Sequence, residues 1–337
     1  MADPVADQRG VVPGGGVIAV AGEALVDLVP TEDGRFEAVP GGSPANVAVG
    51  LARLEVPARM LARLSYDPLG VRIRAHLEAN GVDLDHAVRA TEPTSLAIVA
   101  LGRDGTASYD FRVDGTADWQ WNDAELATAL DQGPDGPVLA VHSGSLALTS
   151  QPGAAALLRL MTRARSRATV SYDPNCRPLL MGEPAAVLRQ VHDVLAVSDV
   201  VKVSAEDLAW LTPGRTAEAV IADWLARGPA LVAVTLGPDG ALAATAAQPG
   251  AVIHRPGRRV DVVDTVGAGD AFTAGLLAGL RTRDLLGADR RAVLRTLSVA
   301  DLAPVLDEAI LTAALTCTRR GADPPTHRER EQVLHHA

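Results

Sequence analysis

The sequence predicts an α/β protein whose strand–helix alternation is broken once by an antiparallel hairpin, and three observations carry that reading. From Val138 onward, short apolar runs alternate with segments of helical period. Polar residues or glycines recur where those strands end (Asn175, Ser204, Gly237 and Gly267), the edge at which open parallel sheets bind ligands. Earlier, the strand-like runs Ser95 to Leu101 and Ala107 to Val113 are joined by a Gly102-Arg103-Asp104-Gly105 turn. A hairpin inserted into an α/β chain is a candidate lid.

The elements follow in order. Val17 to Ala21 is an apolar strand, and Ala24 to Val29 a second, with Asp27 its only acid. Asp27 reads as a residue on the strand's wet face or as a ligand for a polyol, since a carboxylate accepts two hydroxyl hydrogen bonds. Gly41-Gly42 make a turn, Ser43 is a good N-cap and Pro44 suits the first helical position. Asn46 then falls in the first turn of a helix running to about Leu54. Arg59 to Leu64 reads as a strand and Leu69 to Glu78 as a helix stopped at Asn80-Gly81. Helices are expected over 153–165 and 185–196, and strands over 138–142, 168–173, 199–203 and 231–237. A last helix is expected from about Asp307 to Thr318, and the residues beyond about Arg328 read as disordered.

Composition narrows the function classes. A chain of 337 residues holds one large α/β domain or two ordinary ones. Hydrophobic content of 47% with only 3% aromatics makes the core aliphatic. A formal charge of −10 argues against nucleic acid or an acidic membrane as partner. Cys176 and Cys317 lack metal-ligand spacing and read as free thiols in a reducing compartment. The first residues lack the basic start and apolar core of a signal peptide, so a cytoplasmic location is expected.

The stretch with the most chemistry is VDVVDTVGAGDAFTAGLLAGL, ending at Leu280, read as a strand, a tight turn and a helix. Gly267 and Gly269 free the backbone, and the helix start offers unpaired N–H groups and a favourable dipole, which together make an anion cradle. Asp270 stands in its mouth. A carboxylate would repel a bound phosphate unless it deprotonates the alcohol that attacks it; the rival reading is a helix N-cap. The run is neither a Walker A loop, lacking Lys-Ser/Thr, nor a G-x-G-x-x-G fingerprint, because Phe272 replaces the third glycine.

Taken together, GGSPANVAVGLARL near residue 41 and DTVGAGDAFTAGLL near residue 264 resemble the two signature segments of the ribokinase-like (PfkB) carbohydrate kinases. The similarity runs from about Val17 to Pro325, and GEALVDLVP, DPNCRP and VTLGPDGAL look most like the fructokinase branch. The resemblance implies a doubly wound, mostly parallel sheet flanked by helices, with a small β-sheet lid from about Ala24 to Pro40 and Thr94 to Asp118. Residues 1–16 would be a disordered lead-in, 17–325 the domain and 326–337 a tail. It implies ATP and Mg²⁺, a cytoplasmic enzyme without nucleic-acid or membrane partners, and a homodimer paired through its lids.

Roles carry over by position. Asp270 matches the catalytic base, and the amides of Gly267, Ala268 and Gly269 the anion hole. Asp27, Gly41, Gly42 and Asn46 match sugar-binding positions, and Arg112 resembles a lid arginine. Asn175 and Arg177 lie where the family approaches the phosphates. Lys202, Ser204, Asp207, Thr235, Gly237 and Gly240 fall on the nucleotide side. Asp264 and Val266 match a loop that in some members holds a monovalent cation such as K⁺. Three departures stand out: the N-x-x-E motif tied to magnesium is Ser204-Ala205-Glu206-Asp207, a G-x-D is Ser65-Tyr66-Asp67, and an Asn near the adenine is Ile310.

The function so implied is transfer of the γ-phosphoryl group of ATP to a primary hydroxyl of a sugar, with fructose first and 2-keto-3-deoxygluconate, ribose or a nucleoside as alternatives. Two rivals come from other classes: a sugar-binding sensor without catalysis, and a dinucleotide-dependent oxidoreductase.

Overall fold

A computed structural model of the chain describes residues 15–31, 33–101 and 107–335. The turn expected at 102–105, most of the N-terminal lead-in and the last two residues lie outside them. The strands are β1 (Val17–Ala21), β2 (Leu25–Pro30), β3 (Phe36–Gly41), β4 (Ala58–Leu61), β5 (Arg63–Ser65), β6 (Val88–Ala90), β7 (Leu96–Leu101), β8 (Ala107–Arg112), β9 (Val138–Gly144), β10 (Thr169–Asp173), β11 (Val200–Ser204), β12 (Leu231–Thr235), β13 (Ala241–Thr245) and β14 (Ile253–Arg255). The helices are α1 (Ser43–Arg53), α2 (Pro68–Ala79), α3 (Gly153–Ala164), α4 (Pro178–Met181), α5 (Pro184–Leu195), α6 (Ala205–Leu211), α7 (Ala217–Ala226), α8 (Ala268–Thr282), α9 (Arg291–Arg295), α10 (Val299–Cys317) and α11 (His327–His335).

Eight strands form the main sheet in the order β14-β13-β12-β11-β10-β9-β1-β4. It is parallel from β4 to β12, and β13 and β14 run antiparallel at the far edge. Side chains alternate across it. Ile18 and Val20 enter one core with α1, α8 and α10, while Val17, Ala19 and Ala21 enter the other with α3, α5 and α7. Burial on both faces explains why these strands read as continuous apolar runs.

The chain steps from β1 outward to β4 and later returns to lay β9 on β1's other side. That reversal is a topological switch point, where open α/β sheets place ligands. A second sheet, β3-β2-β7-β8, sits on the loops at that edge. Its strands β2 and β3 follow β1, and the β7–β8 pair is the hairpin seen in the sequence.

Three elements differ from expectation. The run ending at Asp264 is not a strand: Val262 and Val263 are 62% and 65% exposed, and the Val263 and Asp264 amides donate to the Cys317 carbonyl. β-Branched residues favour strands only where an edge is available, and here the chain docks on the end of α10 instead. That helix starts at Val299, capped by Ser298, and runs through Pro304 because packing against α8 outweighs the lost hydrogen bond. The C-terminal residues, expected to be disordered, form α11, started by Thr326 and Glu329 and tied back through an Arg319–Glu329 ion pair of 2.7 Å. Among the described residues no helix is long and apolar enough to cross a membrane.

The α8–α10 contact holds α8 at the switch-point edge, and Gly275 makes it close: a Cβ there would lie 2.8 Å from Ala309 Cα. Gly275→Val is expected to destabilise the fold by about 1–3 kcal/mol through overpacking, read as a lower urea midpoint. An unchanged midpoint would show that the helices separate freely.

Candidate active site

At the switch point lies a cavity of about 270 Å³, below the roughly 300–1,000 Å³ of drug-sized pockets and suited to a small ligand. Its walls come from both sheets. Glu23 follows β1, Gly42, Ser43 and Asn46 begin α1, Ser145 and Leu146 follow β9, Arg177 follows β10, and Val266, Gly267 and Asp270 begin α8. The small sheet contributes Leu25, Asp27, Ala97 and Phe111. Leu25 and Asp27 are two apart on β2, Asp27 pairs with Ala97, and Ala97 with Phe111, so one face of the pleat looks into the cavity.

Asp270 is the centre. It is 6% exposed, and it does not cap its helix: Gly267, at φ 76°, occupies the N-cap position. Its carboxylate instead accepts from the Ser43 hydroxyl (2.7 Å) and Asn175 Nδ2 (3.3 Å) on Oδ1, and from Asn46 Nδ2 (2.8 Å) on Oδ2. Burial raises its pKa, opposed by the Ser43 and Asn46 hydrogen bonds and by the Lys202 charge. Ser43, expected as the N-cap of α1, is that helix's first residue and makes no cap bond, its hydroxyl being turned to Asp270. Asn175 reaches Asp270 and Ser43 from a left-handed conformation (φ 38°) that Asn tolerates better than most.

The turn ahead of Asp270 is built as expected, with one change. Gly267 needs its glycine both for its φ and because a Cβ would lie 2.5 Å from that of Ala322. The Ala268 amide, expected in an anion hole, donates instead to the Thr265 carbonyl (3.2 Å). Lys202 lies directly beneath: a Cβ on Gly269 would come within 2.9 Å of its Nζ. Lys202 is buried and paired to Asp173 at 2.9 Å. Its charge and burial also hold His142 neutral, pushed down to about 3 chiefly by burial.

The other expected site residues divide. Asp27 lines the cavity, where burial pushes it up to about 6 against the Arg177 charge, with Asp270 adding to the rise. Gly42 lines it too, whereas Gly41 acts by leaving room, since its Cβ would lie 2.4 Å from Asp27 Oδ2. Arg112 does not reach the cavity: it is exposed and pairs with Asp110 at 2.6 Å, because alternation turns it away when Phe111 faces in. Arg177 faces the cavity with Asp27 and Glu23 rather than standing apart on a phosphate side, its Nη1 held by Asn175 Oδ1 at 2.6 Å. Ser204 caps α6 through the Asp207 amide (3.0 Å), and Asp207 Oδ1 accepts from the Cys176 amide (3.0 Å). Thr235 ends β12 and Gly237 is exposed beyond it, while Gly240 is buried where a Cβ would strike the Arg255 carbonyl. Asp264 accepts from the Val266 (3.1 Å) and Gly321 (2.8 Å) amides, which shapes the loop before α8.

The profile of the pfkB family carbohydrate kinases matches residues 17–328. The chain belongs to this family. A fructokinase of Klebsiella pneumoniae is 36% identical over 310 residues, covering 91% of this chain and 95% of the relative. Among solved structures, a fructokinase of Xylella fastidiosa with bound ATP superposes at a TM-score of 0.84 with 30% identity, covering 95% of this chain and 98% of that one. A fructokinase of Vibrio cholerae O395 in a fructose, ADP and calcium ion bound form gives 0.76 with 31% identity, covering 92% and 95%.

This pfkB site also holds acids that the sequence reading passed over. Glu23 (2% exposed) and Asp118 are buried next to the start of β2, near enough for the Asp118 charge to act on Glu23, each pushed up to about 7 by burial. Asp118 accepts from the Ala24 amide (2.9 Å). Neither lies in the two signature segments; Glu23 falls in the GEALVDLVP run just after an apolar strand, and Asp118 carries no such signal. A carboxyl raised in the folded state keeps its proton between about pH 4 and 7 while the unfolded chain loses it, so folding stability drains as pH rises through that window. Asp118→Asn lacks this drain and still offers an oxygen to Ala24. Its stability relative to wild type should therefore rise between about pH 4 and 7, by on the order of 1–4 kcal/mol, in urea titrations. A flat difference would place the Asp118 carboxyl in an ordinary environment.

Proposed function

We propose that this chain is an ATP-dependent sugar kinase that phosphorylates a primary hydroxyl of a neutral sugar, fructose first among the candidates. The observation that carries it is Asp270, buried in a monosaccharide-sized cavity, fixed by Ser43, Asn46 and Asn175, and set in the first turn of α8 above Lys202.

Asp27 and Asn46 hold the sugar so that one hydroxyl meets Asp270. Asp270 takes its proton, the oxygen attacks the γ-phosphorus, and ADP leaves. A general base contributes about 10²–10⁴-fold. Charge on the transferring group meets the first-turn amides of α8 and the positive charge of Lys202, the positioned donors on which phosphoryl transfer depends. The small sheet acts as a lid that excludes water, which would otherwise accept the phosphoryl group. Asp207, raised by burial and by the neighbouring Asp173 charge, and Asp173 itself offer the hard oxygen donors that suit Mg²⁺. Bound there with ATP, that ion would neutralise phosphate charge. The enzyme works in the cytoplasm, consistent with the free Cys176 and Cys317, and pairs through its lids as a homodimer.

The charge around the cavity favours a neutral acceptor. Glu23, Asp27 and Asp270 face one guanidinium, Arg177, so a sugar acid such as 2-keto-3-deoxygluconate would add a further anion to an acid-rich site. The relatives named fructokinase favour fructose over ribose or a nucleoside.

Asp270→Asn is expected to lower kcat at least 10²-fold in a coupled ADP-release assay with a panel of sugars, with the sugar KM within a few-fold of wild type. Near-wild-type turnover would remove the base assignment. Sugar binding by the wild type with no ADP formed would favour the sensor. Because burial raises the Asp270 pKa and the base acts ionised, the acid limb of wild-type kcat/KM should lie above the ordinary aspartate value; an acid limb at or below it would contradict the assignment.

A further inference from the structure

Glu23 stands out among the cavity-lining residues because one of its carboxylate oxygens has nothing to bind. Oε2 is fully buried and has no hydrogen-bond partner. Among the described residues with such an orphaned side-chain atom, Glu23 is the one that lines the main cavity. A buried polar atom without a partner is costly, and in a native fold it calls for an explanation such as an absent ligand.

The surroundings are built to present this group. The Ser145 hydroxyl lies near enough to Glu23 to favour its charged form, and Ser145 lines the same cavity from a strained backbone conformation (φ 55°) of the kind that clusters at functional sites. Behind Glu23 lies Asp118, tied to the Ala24 amide, and Arg177 faces both Glu23 and Asp27. Asp27 feels the charge of Asp270, whereas the groups acting on Glu23 are Ser145, Asp118 and Arg177. Glu23 enters the cavity from the segment after β1 and Asp270 from the first turn of α8, so a ligand touching both meets them with different hydroxyls.

We propose that Glu23, presented by Ser145, is a specificity-determining residue that binds through Oε2 a sugar hydroxyl other than the one phosphorylated. This rests on the sugar-kinase reading above and adds to it the requirement for a second, non-reacting hydroxyl at a fixed place on the acceptor. A site that hydrogen-bonds a hydroxyl discriminates strongly against the analogue lacking it, because the protein group is then left buried and unpaired.

The test is steady-state kinetics of wild type, Glu23→Gln, Glu23→Ala and Ser145→Ala on the sugar that the wild type phosphorylates and on its monodeoxy analogues. For one deoxy position, wild-type KM should rise about 10- to 100-fold. Glu23→Ala should raise KM for the parent sugar by a similar factor, keep kcat within a few-fold, and show no further loss on that one analogue. Glu23→Gln keeps the shape and decides the matter if the alanine variant does not fold: its penalty for the same deoxy position should shrink while the others stay at wild-type values. Equal penalties for every analogue across the variants, or a fall in kcat with KM unchanged, would overturn the proposal and leave Glu23 as a support of the start of β2. A wild type that phosphorylates no neutral sugar would overturn the function reading and this proposal with it, whereas an active wild type with parallel losses would overturn this proposal alone.

Discussion

A carboxylate can leave water only where neighbours replace the hydrogen bonds that water gave it, and Asp270 meets that condition through three donors from two other parts of the chain. Ser43 and Asn46 come from α1, and Asn175 from the turn after β10. These elements are far apart in sequence and meet only because the main sheet reverses its winding between β1 and β9. The same convergence brings Lys202 beneath the turn of α8. Donors and cation stabilise the ionised form, burial opposes it, and burial prevails. The result is an acid held in one orientation yet more basic than a free aspartate. That combination serves proton abstraction better than it serves a helix cap.

Rigidity around this group comes from close backbone approaches. Gly50 packs against Ala274, Gly275 against Ala309 and Thr312, and Gly267 against Ala322. Each joins α8 to a neighbour, so its first turn is set against α1, α10 and the loop after α10 at once. The small sheet is attached differently, through the links after β1, β3, β6 and β8. A stiff base with an Asp27-bearing sheet over it is the arrangement that the proposed lid role requires, opening to water for exchange and closing for transfer.

Much of this was legible from residue order. The alternation, the inserted hairpin, the ligand-binding edge of the sheet and the GAGD turn all follow from local pattern, because period and turn chemistry are local properties. What was not legible depended on pairings across the fold. Ser43 looked like a cap because serine before a proline usually is one; only the approach of Asp270 gives its hydroxyl a better partner. Arg112 and Phe111 differ by one position, and one position decides which face of a strand a residue occupies. The VDVVD run has strand propensity without an edge to join. The second acid pair, Glu23 and Asp118, is separated by an entire sheet in sequence and is brought together only where Asp118 returns to the Ala24 amide.

The distribution of charge across the cleft links these observations to substrate choice. Three acids, Glu23, Asp27 and Asp270, meet in the cavity against one guanidinium, and two of them are pushed up to about 6 and about 7, so part of their charge is suppressed near neutral pH until a ligand arrives. A sugar hydroxyl brings no charge and donates a hydrogen bond, which stabilises the ionised carboxylate that accepts it. Binding a polyol therefore offsets the desolvation that an empty cavity imposes, whereas a carboxylate-bearing substrate would add repulsion to it. On the other side of Asp270 stand the amides at the start of α8 and Lys202, whose charge is shared with its partner Asp173 and the neighbouring Asp207. In the proposed reaction Asp270 then stands at a boundary, with Glu23, Asp27 and Arg177 on the side of the sugar hydroxyls and the α8 amides with the Lys202–Asp173 pair on the side of the phosphoryl group.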